Sequence, residues 1–209
     1  MFGFGKKGRP EHDASGAPAG EGRSLPTKVL SKFLAAVGAR PAPVVLDLGP
    51  VVGSNVSLLG ERLGCKLLVE DLYADLARAV REGRQTELPR VLAARLARPD
   101  ASVDGILCWD FFDYLDKPAA VALGAQLARV LAPGGVLAAF FAQKPAADPL
   151  FTRFVVQDDH TLVHRPYPGV PRRGAAWQNR DASLLLPGLR VIESFLLLTQ
   201  TREVLLRKP

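Results

Sequence analysis

"VLDLGPVVGSN", residues 45–55, is the stretch on which the fold turns. Its apolar start, ended by Asp47 and Gly49, has the pattern of a parallel strand covered on both faces. A glycine turn follows, in which Pro50, Val51 and Val52 separate Gly49 from Gly53, and glycine lets backbone approach a ligand closely. Beyond the turn, SNVSLLGERLG is expected to be a helix, with Ser54 or Asn55 as its N-cap and Gly64 as its stop. CKLLVED then reads as a second strand, and YADLARAVREG as a second helix ending at Gly83. Strand and helix in alternation predict a parallel sheet with right-handed crossovers.

On the N-terminal side, LPTKVLSKFLAAVGA places Val29, Leu30, Phe33, Leu34 and Val37 at helical spacing, with Gly38 as a stop. Residues 1–23 are Gly, Pro, Ala and charge without periodicity, and are expected to form a disordered tail to a single domain at 24–209. On the C-terminal side, RQTELPRVLAARLARPDAS offers no third strand, because LPRVLAARLA reads as a helix. VDGILCWDFFDYL is a strong strand with a loop after it, and PAAVALGAQLARVLAPGG is a helix stopped by Pro133 and its glycines. GVLAAFFA is another buried strand. From Gln143 to Leu189 the periodicity weakens, and LRVIESFLLLTQTREVLLRK then predicts two strands joined by a tight turn around Thr199 and Gln200.

With 209 residues, 48% of them hydrophobic, the chain can bury one good core. No apolar run approaches the roughly 20 residues that cross a bilayer, and MFGFGKKGRPEHD lacks the apolar stretch of a secretory signal, so a cytoplasmic location without membrane contact is expected. Cys65 and Cys108 lie in apolar segments read as strands, which suits buried reduced thiols. Without CxxC or histidine spacing, neither a metal nor redox chemistry is implied. The net charge is +6, and residues 143–209 carry ten basic against six acidic groups, scattered except for Arg172 and Arg173. Nucleic acid is therefore a possible but not a favoured partner, a solvated basic surface being the simpler reading.

Three stretches in this order resemble the class I S-adenosylmethionine-dependent methyltransferases: VLDLGPVVG, VDGILCWDFFDYL and LAPGGVLAAF. The resemblance runs from about Thr27 to the end, and the final hairpin looks like that family's antiparallel last strand. It implies an α/β fold: a doubly wound, mostly parallel sheet, Rossmann-like, with helices on both faces, an antiparallel C-terminal hairpin strand and a third strand short or missing. Residues 143–189 would be an insertion on the substrate side. The implied cofactor is S-adenosyl-L-methionine, and the implied reaction is attack of a substrate nucleophile on its methyl group. Where the family pattern D-x-G-x-G-x-G has its middle glycine, this chain has Val51, a β-branched residue.

Ligands of open α/β sheets bind beyond the carboxyl ends of the strands where strand order reverses, which puts Asp47, Gly49, Gly53, Trp109 and Asp110 at one crevice. By resemblance Asp47 would pair with the cofactor's ammonium group. Glu70 or Asp71, about twenty residues on, can hold two ribose hydroxyls, since a carboxylate offers two acceptor oxygens. Spacing does not choose between them, and Glu70 closes the strand. A nicotinamide site needs G-x-G-x-x-G, which the turn lacks. For Asp110 a loop cap is the competing role, and for Trp109 core packing. Asp113 and Asp116 read as solvated loop carboxylates. His160, His164, Tyr167, Trp177, Gln178, Asn179 and Arg180 could cover a substrate, but no residue is nominated as catalytic. Three functions follow: a methyltransferase acting on a small molecule, which is favoured; one acting on RNA or protein; and a non-catalytic relative that has lost the cofactor and binds partners.

Overall fold

The computed structural model describes residues 22–144, 149–171, 177 and 184–209. In chain order the elements are β1 (Arg23–Pro26), α1 (Leu30–Gly38), β2 (Val44–Asp47), α2 (Gly53–Val56), β3 (Lys66–Val69), α3 (Leu72–Arg81), α4 (Leu88–Arg95) and β4 (Val103–Trp109). They continue with α5 (Lys117–Val130), β5 (Leu131–Ala142), β6 (Leu150–Asp158), β7 (Thr161–Pro168), β8 (Arg190–Leu196) and β9 (Thr201–Arg207). α2 widens into a π-helical turn at Ser57–Arg62, and 3₁₀ turns occupy Gln85–Glu87 and Phe111–Tyr114.

Six strands form one sheet in the order β3-β2-β4-β5-β9-β8. β2 is parallel to β3 and β4, β5 is parallel to β4, and β8 and β9 close the sheet antiparallel, as the resemblance implied. Alternation along the strands explains the two covered faces. Leu46, Ile106, Cys108, Leu137 and Ala139 point into the core under α3, α4 and α5. Val45, Leu107, Trp109, Ala138 and Phe140 point the other way, toward α1. Gly105 lets α1 sit close, since a Cβ there would meet Val37 Cγ2 at 2.7 Å and the Phe33 ring at 2.9 Å.

The sheet ends at β3, because Gln85–Arg95 folds as a 3₁₀ turn and α4 with Pro89 in the first turn. Leu, Ala and Arg there favour helix, and no β-branched run competes. α5 ends at Val130, three residues before the expected stop at Pro133, and β5 already begins at Leu131. Cys65 lies just before β3 and Cys108 within β4; both are buried and reduced. Burial raises both thiols, Cys108 strongly, so neither is a ready nucleophile.

The unexpected unit is a second sheet of three antiparallel strands, β1-β7-β6. Arg23, placed in the tail by its sequence, is the first residue of β1 and pairs with His164. β6 and β7 lie in the segment whose periodicity had weakened, and Leu162, Phe154 and Val156 join the core cluster beside α1. Between β1 and α1 the chain is anchored where Lys28 N–H and Val29 N–H, the latter at the N-cap of α1, donate to the buried Glu203 carboxylate at 2.7 and 3.0 Å. No helix among the described residues is long and apolar enough to cross a membrane.

Candidate cofactor crevice

Strand order reverses between β2 and β4, so the residues just past their carboxyl ends face one another. Asp47 is the last residue of β2 and is 2% exposed. Its Oδ1 accepts from the Gly49 amide at 2.9 Å and from the Trp109 indole N–H at 2.6 Å. Burial raises this carboxyl from its ordinary 3.8 to about 6, although the bonds from Trp109, Gly49 and Asn55 pull the other way.

Trp109 ends β4 with φ +52°, a left-handed conformation that costs a bulky residue about 1–3 kcal/mol. The bond to Asp47 and the packing around the indole hold it there. Gly49 is a tight fit, since a Cβ would lie 3.1 Å from Trp109 Cδ1 and 3.2 Å from Asp47 Oδ1 and these groups would have to give way by a few tenths of an ångström. Gly53 is different: a Cβ there meets nothing within 4 Å. Val51, whose β-branched side chain stood at the expected close approach, is 67% exposed and obstructs nothing in the fold. Neither Ser54 nor Asn55 caps α2, whose N-cap is Val52.

Asp110 does not cap the turn after it through its side chain. Its carboxylate accepts from Tyr73 Oη at 2.7 Å and from Tyr114 Oη at 3.1 Å. Burial and the neighbouring Asp110 push the Tyr73 hydroxyl well above its ordinary range, so it stays a donor. Glu70 pairs with Arg95 at 2.9 Å and with Arg98, both brought by the segment that replaces a third strand. Asp71 caps α3 by accepting from the Ala74 amide at 3.1 Å. Asp113 and Asp116, expected to be solvated, are structural: Asp113 is buried and accepts from the Ala142 amide, and Asp116 caps α5 through the Ala119 amide.

Above these groups lies β6. Phe154 stacks on Trp109 with ring centroids 5.1 Å apart and planes 6° from parallel, and it meets Phe140 edge-on at 5.4 Å. Phe151 stands edge-on to Tyr73 at 5.1 Å and to Tyr114 at 5.0 Å. Asn55 fixes the strand, its Nδ2 donating to the Phe154 carbonyl at 3.0 Å and its Oδ1 accepting from the Val156 amide at 2.8 Å. Tyr114 Oη also reaches the Leu150 carbonyl at 3.2 Å.

Of the insertion residues, Tyr167 lies against Phe151 and its buried hydroxyl has no hydrogen-bond partner among the described residues. Burial, with the charges of Asp71 and Asp110, raises that hydroxyl's pKa. His164 packs on Phe154, His160 is exposed, and Trp177 donates to the Phe112 carbonyl at 2.9 Å. Gln178, Asn179 and Arg180 lie outside the described residues, as do Arg172 and Arg173. No group of three His, Cys, Asp or Glu among the described residues is arranged to hold a metal ion.

The structure brings together Asp47, Gly49, Trp109 and Asp110, but the acids are engaged by the protein's own donors and β6 covers the space between them. A ligand placed between these groups would meet the rings of Phe151 and Phe154 of β6. What reasoning from sequence missed was Asn55, Tyr73 and the two phenylalanines of β6. The apolar positions of LFTRFVV were the available signal, masked by the prolines and arginines around them.

Residues 45–135 match the family model described as a methyltransferase domain. Among similar solved structures is the PH0226 protein from Pyrococcus horikoshii OT3, 15% identical over 86% of this chain and 88% of that one, with a TM-score of 0.50. Another is the Burkholderia thailandensis 1,6-didemethyltoxoflavin-N1-methyltransferase, crystallised with 1,6-didemethyltoxoflavin and S-adenosylhomocysteine; it is 17% identical over 86% and 76% of the two chains, TM-score 0.48. A third is the CcbJ methyltransferase from Streptomyces caelestis, 15% identical over 86% and 94%, TM-score 0.48. No curated protein matches the sequence.

Proposed function

We propose, for a chain that has the class I S-adenosylmethionine-dependent methyltransferase fold, that it binds S-adenosylmethionine at the β2–β4 switch point and methylates a small-molecule acceptor. The observation that carries this reading is Asp47 at the end of β2, folded back on Gly49 beneath a strained Trp109. With β6 displaced, Asp47 and the amides of the turn would hold the amino acid end of the cofactor, and Glu70 would exchange an arginine for the ribose hydroxyls. Bound there, the cofactor supplies an activated methyl group on a sulfonium leaving group. The chain's own part is to align an acceptor and keep water out, for which an aromatic wall of Trp109, Phe140, Tyr73 and Tyr114 is suited.

A second reading has its own observation in favour. Phe151 and Phe154 are 2% and 5% exposed, as core residues are, so the crevice could be permanent core in a non-catalytic relative that binds a protein partner. The test is titration of S-adenosylhomocysteine into the full chain by calorimetry. Saturable binding weakened by Glu70→Gln supports the enzyme reading. No binding at ~5 mM, by wild type or by any form with β6 loosened, removes it in favour of the second; that limit corresponds to an affinity of only about 3 kcal/mol.

A further inference from the structure

We infer that strand β6 is a built-in competitor of the cofactor, latched over the crevice by the side chain of Asn55; this rests on the reading of that crevice as a cofactor site. Asn55 lies in α2, directly after the glycine turn, and is 2% exposed. Its amide bonds one carbonyl and one N–H of β6, which is the way a sheet neighbour would hold a strand, and it also reaches the Asp47 carboxyl. Among the described residues no backbone pairing joins β6 to the six-stranded sheet; its ladder there is with β7. The hairpin β6–β7 with β1 is therefore a separate sheet whose grip on the crevice is made by side chains.

Those side chains occupy the ligand's place from three strand ends at once. Phe151 and Phe154 are met, and the strand is held, by Asn55 from beyond β2, Tyr73 from beyond β3, Trp109 at the end of β4 and Tyr114 beyond it. Phe154 lies flat on Trp109, so the slot it fills is the shape of a planar ring, and the orphan Tyr167 hydroxyl stands on the same hairpin. A ligand in the crevice and β6 in its latched position exclude each other. The apparent affinity is then the intrinsic one reduced by the fraction of molecules with β6 lifted.

The experiment compares wild type, Asn55→Ala and Phe154→Ala in the full chain, each checked for a cooperative thermal melt. S-adenosylhomocysteine is titrated by calorimetry, and amide hydrogen exchange is followed by mass spectrometry with and without the ligand. Asn55→Ala is expected to bind about tenfold or more tightly than wild type, and Phe154→Ala likewise, because each raises the lifted fraction. In wild type, saturating ligand should speed exchange in β6 while β4 and β5 stay protected. Equal affinity in all three forms, or β6 amides that slow on binding, overturns the latch and leaves the proposed function standing. No binding in any form overturns both. The wild-type exchange measurement decides the matter even where a variant does not fold.

Discussion

Asp47 should make the stability of this protein fall as pH rises from about 4 to 7, and Asp47→Asn should remove that dependence. The carboxyl is 2% exposed, and burial raises its pKa from 3.8 to about 6 in the folded chain. Between those two values the folded state keeps a proton that the unfolded state has released, so folding is favoured at the acid end and the advantage is lost as pH passes 6. A shift of roughly two units at 1.36 kcal/mol each is about 3 kcal/mol. Asparagine keeps an Oδ1 for the Trp109 and Gly49 donors but carries no charge to bury. The assay is urea unfolding of wild type and variant at pH 4 and pH 7.5, read as the difference between the two proteins so that the other titrating groups cancel. Because the unfolded carboxyl is already more than half ionised at pH 4, the variant should gain about 2 kcal/mol of this relative to wild type between the two pH values. An unchanged difference would refute the reasoning, because it would mean that water reaches Asp47 in the folded protein.

Glu203→Ala should cost about 2–3 kcal/mol in urea unfolding at pH 7, since it leaves the Lys28 and Val29 amides just before α1 without their acceptor. Gly124→Ala should reach or exceed the upper end of the usual 1–3 kcal/mol overpacking cost, because the new Cβ would lie 1.6 Å from the Leu185 carbonyl oxygen; Gly53→Ala, with open space around it, should stay within about 1 kcal/mol of wild type. Val51→Gly restores the glycine of the resemblance but should give no gain in S-adenosylhomocysteine affinity by calorimetry, because Val51 is exposed and does not hold the crevice shut.

The sheet was legible because its strands carry their own evidence. VVLD, VDGILCW and GVLAAFFA are long apolar runs on two covered faces, and the turn at Gln200, with φ +60°, sits between two strands that read plainly. The absent third strand was equally legible, since LPRVLAARLA has helix formers where β-branched residues would be needed. The state of the crevice was not. Asp47, Gly49, Trp109 and Asp110 fall together as local sequence and topology dictate, but whether a ligand can reach them depends on contacts across about a hundred residues, such as Asn55 with Phe154 and Val156. Val51 drew attention because it broke a pattern, whereas Asn55 broke none. A glycine turn records how close a ligand may come to the backbone; it carries no record of what else in the chain competes for the space.

How far that competition goes follows from magnitudes. Lifting β6 uncovers Phe151, Phe154 and Val156, each worth about 1.5–3 kcal/mol. It also ends the Trp109 stack, worth about 0.5–1.5 kcal/mol, and frees the two Asn55 hydrogen bonds at about 0.5–1.5 kcal/mol each. Together these make about 6–13 kcal/mol, less whatever the hairpin recovers by packing elsewhere. A micromolar ligand supplies about 8 kcal/mol, so the closed crevice and the loaded one are of comparable free energy, and small changes at the latch decide between them. Asn55 is the place where such a change spares the packing, although its bond to Asp47 is lost with it. Removing Phe154 leaves a cavity beside Trp109 and Phe140, whereas removing the Asn55 amide leaves the aromatic walls intact and returns about 1–3 kcal/mol to the open form. A permanent core would respond to Asn55→Ala with lost stability alone; a latch responds with lost stability and a tighter ligand, in proportion to each other.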